Sequence, residues 1–227
     1  MRNITKSQPA PACLALEKVK KSGTYNCGDT FQRLHDDFFG KCYLCEDKTA
    51  TGLNIEHFKP HFGGKNIDRK FDWNNLFYAC YHCNMRKGSL DIPLLDCTNA
   101  AHKIVEWIKF DIKPFPKELV KIEALQKTNI VQNTVDLLDD IYNCKARKDV
   151  PFSACENAAN NLRQKLITEI KKFEKVCNEF LEETDKEEQR IYKRSIKRHL
   201  KVSSPFSAFK LWNVKQYSFF NATFLES

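Results

Sequence analysis

Glycine is scarce in this chain, at 7 of 227 residues, and no run of roughly 18 apolar residues occurs anywhere in it. The first shortage argues against a sandwich or barrel, and the second leaves no segment suited to span a bilayer as a helix. No internal repeat and no low-complexity segment is visible. A phosphate-cradling GxxxxGK[ST] is also missing, because Gly64-Lys65-Asn66 lacks both the earlier glycine and the hydroxyl residue. The N-terminal stretch offers only the short apolar run Ala12–Leu16 and no clear cleavage site, so no targeting segment is expected. The sequons at Asn3 and Asn221 then read as chance.

What is present points to a helix-rich soluble protein. Charged residues make up 29% and hydrophobic residues 42%, enough to bury a core in one or two domains. A net charge of +8 favours a polyanionic partner, although many basic proteins bind none. Ten cysteines invite a disulfide framework, yet a chain of this length needs no stapling, and four of them form two metal-type doublets. A reducing cytoplasm is expected, with Cys13, Cys27, Cys97, Cys144, Cys155 and Cys177 as free thiols.

Three segments are expected. Residues 1–39 read as a loose arm, a short helix at Ala12–Lys20, and a helix from Asp29 to Phe39 with Asp29 as a candidate N-cap. Residues 40–100 form a small module: a knuckle at Cys42–Cys45, a strand at Leu53–Phe58, a glycine-containing loop, a strand at Asn75–Ala79, and a helix at Tyr81–Lys87 stopped by Gly88. Residues 101–227 read as helical, with helices at Lys117–Lys127 after Pro114 and Pro116, at Thr134–Tyr142, and two long ones. Those two start at capping boxes, Ser153-x-x-Glu156 and Thr184-x-x-Glu187. The first carries the stripe Leu162, Leu166, Ile170, Phe173, Cys177 and Phe180, a helical spacing that asks for something to pack against. The second, about Asp185–Val202, is basic, a face that is more often solvated than bound. Phe206, Phe209, Leu211, Trp212, Phe219 and Phe220 make an aromatic tail expected to close the core.

The chemistry is concentrated between residues 42 and 88. Cys42/Cys45 and Cys80/Cys83 can each chelate from a tight turn and together offer four thiolates to one tetrahedral zinc, a closed and therefore structural shell. Between the pairs lie Glu56, a hard oxygen donor suited to Mg2+ or Mn2+, and His57, whose imidazole can take a proton from water at neutral pH. Asn84 adds a side-chain carbonyl. Phosphodiester hydrolysis needs an activated water and stabilisation of charge at the phosphorus and the leaving oxygen. His57 could supply the first, and one metal on Glu56 and Asn84 the rest. Taken alone, an acid-histidine pair is weak evidence; inside a four-cysteine frame it is stronger. Neighbours on a regular strand face opposite ways, so Glu56 and His57 should lie where the strand ends.

The ordered set Cys-x-x-Cys, Glu56-His57-x-x-Pro60, Gly63-Gly64, Asn75-Leu76 and Cys80-x-x-Cys83-Asn84-x-x-Lys87-Gly88 resembles the HNH endonucleases with their ββα-metal fold, over about residues 40–90. The resemblance implies an α+β, mostly helical protein with a ββα-metal module. It implies His57 as general base, Asn75 as the residue bracing the active-site loop, Glu56 and Asn84 as ligands of a catalytic Mg2+ or Mn2+, and Cys42, Cys45, Cys80 and Cys83 as structural zinc ligands. Lys59, His61, His82 and Lys87 are candidate nucleic-acid contacts. Glu replaces the commoner Asp at 56, and Asn rather than His occupies 84, which favours a hard metal over a catalytic zinc. IEHFKP, the DWNNLFYACYHCNMRKGS block and Ile92-Pro93-Leu94-Leu95 are similar to the HNH component of Septu-type anti-phage systems, relatives of which accompany some retrons. That likeness implies phage DNA as substrate and an ABC-type ATPase partner, with residues 101–227 as its candidate docking region. A non-catalytic zinc-knuckle module and an RNA-cleaving nuclease stay open as alternatives.

Overall fold

The computed structural model describes residues 1–113, 119–144 and 152–225. Element order is α1 (Ala12–Lys18), α2 (Thr30–Asp37), β1 (Leu53–His57), α3 (Ile67–Phe71), β2 (Leu76–Cys80), α4 (Tyr81–Lys87), α5 (Ile104–Trp107), β3 (Ile108–Lys113), β4 (Leu119–Ala124), α6 (Asn129–Asn143), α7 (Phe152–Glu182), α8 (Lys186–Leu200), α9 (Ser207–Lys215) and α10 (Ser218–Phe224). The protein is therefore α+β and mostly helical, with two antiparallel two-stranded sheets, β1–β2 and β3–β4. No helix among the described residues is long and apolar enough to cross a membrane.

The first sheet pairs Leu53 with Cys80 and His57 with Leu76, and all five residues of β2 are buried. Helix α4 follows β2 without a linker and stops at Gly88, whose φ of +52° is a conformation glycine adopts at little cost. Helix α6 clamps this unit from behind. Its Asp140 takes a buried two-pronged ion pair from Arg86, the Ile141 carbonyl accepts from His82 Nε2 at 2.8 Å, and Tyr142 donates its hydroxyl to the Cys45 carbonyl at 2.8 Å.

One hydrophobic core runs through all three expected segments, joining Leu34 and Phe38 to Phe77 and Leu95 and on to Ile108, Leu138, Leu166 and Phe209. Burial of each large apolar side chain contributes about 1.5–3 kcal/mol. A second cluster packs Phe173, Cys177 and Phe180 of α7 against Ile196, Val214 and Phe220, so the long stripe is core along its whole length; Phe206, Phe209, Leu211 and Phe220 of the aromatic tail are buried, whereas Phe219 is exposed.

Several expectations need correction. The arm before α1 is not loose: Lys6 is buried and donates to the Trp73 carbonyl and, at 2.7 Å, to that of Leu76, with its ammonium 3.9 Å from the Trp73 ring centroid. A polar segment without periodicity is held here by tertiary contacts that leave no mark in local sequence. Residues 119–124 are strand, not helix, because Ile108, Phe110, Val120 and Ile122 alternate at the period of two that buries one face of a hairpin. The first residues of the expected 117–127 helix, and the side chain of Ser153, lie outside those described. Helix α8 is capped by Asp185, which accepts from the amides of Glu187 and Glu188, rather than by Thr184. Four cysteines read as free are paired, Cys13 with Cys27 and Cys144 with Cys155, at Cα separations of 6.0 and 5.9 Å. The paired cysteines are 14 and 11 residues apart in sequence.

Glu46, immediately after the knuckle, is the polar hub joining the two ends of the fold. Its buried carboxylate takes the Lys41 ammonium at 2.8 Å, the Ser207 hydroxyl at 2.8 Å and the Ala208 amide at 2.8 Å. Burial alone would raise this carboxyl, but the Lys41 charge and these hydrogen bonds outweigh it and hold it well below the usual range. Glu46→Ala strands a buried lysine, at an expected cost of about 3–5 kcal/mol. A urea midpoint unchanged from wild type would show that the hub contributes nothing.

Candidate active site and metal centre

The four thiols of Cys42, Cys45, Cys80 and Cys83 are fully enclosed, with their sulfurs all within 4.8 Å of one another and Cys45 Sγ 3.9 Å from Cys80 Sγ. A tetrahedron with zinc–sulfur bonds of about 2.3 Å has edges of roughly 3.8 Å. Donor type, burial and spacing therefore fit, and the group can hold a metal ion such as zinc. Two ligands come from the knuckle and two from the β2–α4 junction, so a metal there ties the start of the β1–β2–α4 unit to its end.

His57 is the last residue of β1, and Glu56 precedes it. Because the strand ends there, both reach the same cleft of about 390 Å³, which Asn84 enters from α4 and His61 from the following loop. His57 Nε2 lies 3.0 Å from the Lys70 carbonyl. A carbonyl only accepts, so Nε2 carries the hydrogen and neutral His57 has its lone pair on Nδ1. Burial, with smaller contributions from His61, Lys87 and Lys70, pushes its pKa down to about 4. At neutral pH the ring is thus an unprotonated base.

Asn75 fixes the loop on which this geometry depends. Its Oδ1 accepts from the Lys59 amide at 2.7 Å, and its Nδ2 donates to the carbonyls of Lys59 and Arg69 at 2.9 and 2.8 Å. The chain from 59 to 69 is therefore closed at both ends by one buried amide, next to the Lys70 carbonyl that orients His57. Asn75 sits in a single 3-10 turn, Trp73–Asn75, one residue ahead of β2.

Glu56 is 3% exposed, and its Oε1 takes the Lys87 ammonium at 2.6 Å. Its Oε2 is buried and makes no hydrogen bond of good geometry among the described residues, although the buried Tyr43 hydroxyl interacts with the carboxylate. Burial raises the Glu56 carboxyl, opposed by Lys87. Glu56 and the half-buried Asn84 line the same cleft, and a carboxylate with an amide carbonyl is a donor set that suits a hard divalent cation. Lys87 itself is enclosed, bonded to Glu56 and to the His57 carbonyl at 2.9 Å, so the phosphate contact expected of it does not fit. Its role is to hold the two residues of the site together. His82 also faces inward, bonded to Ile141, and is not on the cleft. Lys59 is exposed at the loop, and His61 lies with its ring centroid 4.3 Å from that of His57, its Nδ1 accepting from the Gly64 amide at 2.8 Å.

Two participants were not foreseen. Tyr25, on the loop between the paired Cys13 and Cys27, packs edge-on against His57 with centroids 4.5 Å apart. It also lines a second cleft of about 430 Å³ that shares Ile55 and Asn84 with the first. The 14-residue separation of those cysteines was the available signal. The Lys70 carbonyl is backbone and has no sequence signature at all.

No protein-family model matches the chain, and no curated protein matches it either.

Proposed function

We propose that this chain is a metal-dependent endonuclease of the HNH type that hydrolyses phosphodiester bonds of DNA. The observation that carries the reading is the convergence of His57, Glu56 and Asn84 on one cleft, with the His57 ring held at Nε2 by the Lys70 carbonyl. His57 Nδ1 accepts a proton from the attacking water, the Lys70 carbonyl keeps that ring in the required tautomer, and Asn75 keeps the loop in place. Glu56 and Asn84 would hold a Mg2+ or Mn2+ ion. Bound there, the cation neutralises charge on the scissile phosphate and supports the leaving oxygen. Lys87 offsets part of the Glu56 charge, so the protein does not bury a bare carboxylate.

The motif likeness extends the proposal to an anti-phage role, with phage DNA as substrate and an ABC-type ATPase as partner. Support for that extension is the similarity of IEHFKP and the 72–89 block to Septu-type nucleases, together with the missing nucleotide-binding loop.

The test incubates wild type and Asn84→Ala, each with and without such an ATPase, on plasmid DNA and on RNA with Mg2+ or Mn2+. Wild type nicks or cuts the plasmid. Asn84→Ala loses activity at low metal and regains part of it at millimolar Mn2+, because one ligand weakens the site without removing the base. Cleavage of RNA alone would move the substrate, and cleavage of neither by wild type in any combination would favour a binding module.

A further inference from the structure

Helix α8 keeps a charge separation along its length. At its N-terminal end the acids are occupied: Asp185 caps the helix, Glu183 accepts from the amides of Thr184 and Asp185, and Glu187 pairs with Arg190. Its buried side rests on α7 and α9 through Ile196, with Tyr192 and Leu200 partly buried in the same cluster. The opposite side carries Arg194, Lys197, Arg198 and Lys201, all exposed, at steps of three, one and three. At 100° per residue these four fall within about a third of the helix circumference. None has an ion pair with any described residue, and Arg198 only donates to its neighbour Ser195.

Cations in a last helical turn complement the helix dipole, which accounts for Lys197 and Arg198. It does not account for a stripe that begins at Arg194, a full turn earlier, and continues past the helix end to Lys201. The stripe is also tied to the metal centre. Lys41, the residue before Cys42, donates to the carbonyls of Val202 (2.5 Å) and Ser204 (3.1 Å), directly after the stripe. A ligand held there is held in fixed relation to the four-cysteine group.

We propose that the Arg194–Lys201 face of α8 is an exosite for the phosphate backbone of duplex DNA, binding without sequence preference and separately from the cleft. The chemistry is complementary: four unpaired cations lie over roughly 10 Å of helix, and a duplex presents one phosphate charge per about 1.7 Å of its axis. The choice of DNA as the polyanion rests on the nuclease reading. Binding is therefore measured in His57→Ala protein, where cleavage plays no part and the two ideas fail separately.

The experiment titrates labelled duplex DNA with His57→Ala protein at several salt concentrations. It repeats the titration with Arg194→Gln, Lys197→Gln, Arg198→Gln and Lys201→Gln added together. A control removes the same charge elsewhere, at Lys103, Lys109, Lys121 and Lys127. The α8 set is expected to weaken binding about tenfold or more near 0.1 M salt and to flatten the log–log salt slope by about 3 to 4, at roughly 0.9 per phosphate contact. Its melting temperature stays close to that of the parent. The control keeps most of the parent affinity. Equal losses in both sets would reduce the effect to net charge and overturn the proposal. So would an unchanged slope in the α8 set or absent DNA binding by the parent.

Discussion

Cys83→Ser protein is expected to lose metal binding at the four-cysteine group and, with it, the cooperative folding of the β1–β2–α4 unit. The expectation follows from where the thiols sit. Two lie in the knuckle and two at the β2–α4 junction, all enclosed, so no water or neighbouring side chain can replace a missing ligand. A closed thiolate zinc contributes on the order of 10 kcal/mol to folding in small peptides at neutral pH, comparable to the whole stability of a typical domain. The remainder of the core is continuous with this unit, so the loss spreads as far as Tyr142 and Arg163, which hang from the Cys45 carbonyl through successive hydrogen bonds. Zinc content per chain, far-UV circular dichroism and solubility report the outcome together. Cys97→Ser is the matched control, since Cys97 is equally buried but lies outside the cluster. Full zinc content in Cys83→Ser would remove the four-cysteine site from the account.

How much of this was readable beforehand differs sharply along the chain. The unit from Cys42 to Gly88 carries its structure in local chemistry: cysteine doublets that want one metal, a glycine where the backbone turns left-handed, and short apolar runs between turn residues. Helix α4 begins and ends where the residues indicate, and the stripe on α7 is buried throughout. The β3–β4 hairpin was legible too, in the alternation of Ile108, Phe110, Val120 and Ile122, but prolines and a charged stretch read as a helix start obscured it. Lys6, Tyr25 and the two cysteine pairs were not legible. Each depends on which residues meet in space, and periodicity carries no information about that.

The same division runs through the site. Residue types named Glu56, His57, Asn75 and Asn84, because each brings its own functional group. Lys87, a candidate phosphate contact by the motif likeness, instead fills the space under Glu56 and His57 and neutralises a buried carboxylate. What no residue type could show is that His57 is oriented by a backbone carbonyl and that the loop after it is pinned by one amide.

The account turns on His57 as the base, and one measurement reaches it directly. Wild-type and His57→Ala proteins, each with one zinc per chain, are compared for the rate of supercoiled plasmid conversion in Mg2+ or Mn2+. A positioned general base is worth roughly 10²–10⁴ in rate. The His57 side chain lines the cleft and, among the described residues, hydrogen-bonds only to the Lys70 carbonyl, so its truncation is expected to leave the four-cysteine group intact. The expected result is a loss of that size with zinc content and far-UV spectrum unchanged. Equal rates for the two proteins would contradict the catalytic assignment and leave the zinc frame as a support for something other than hydrolysis.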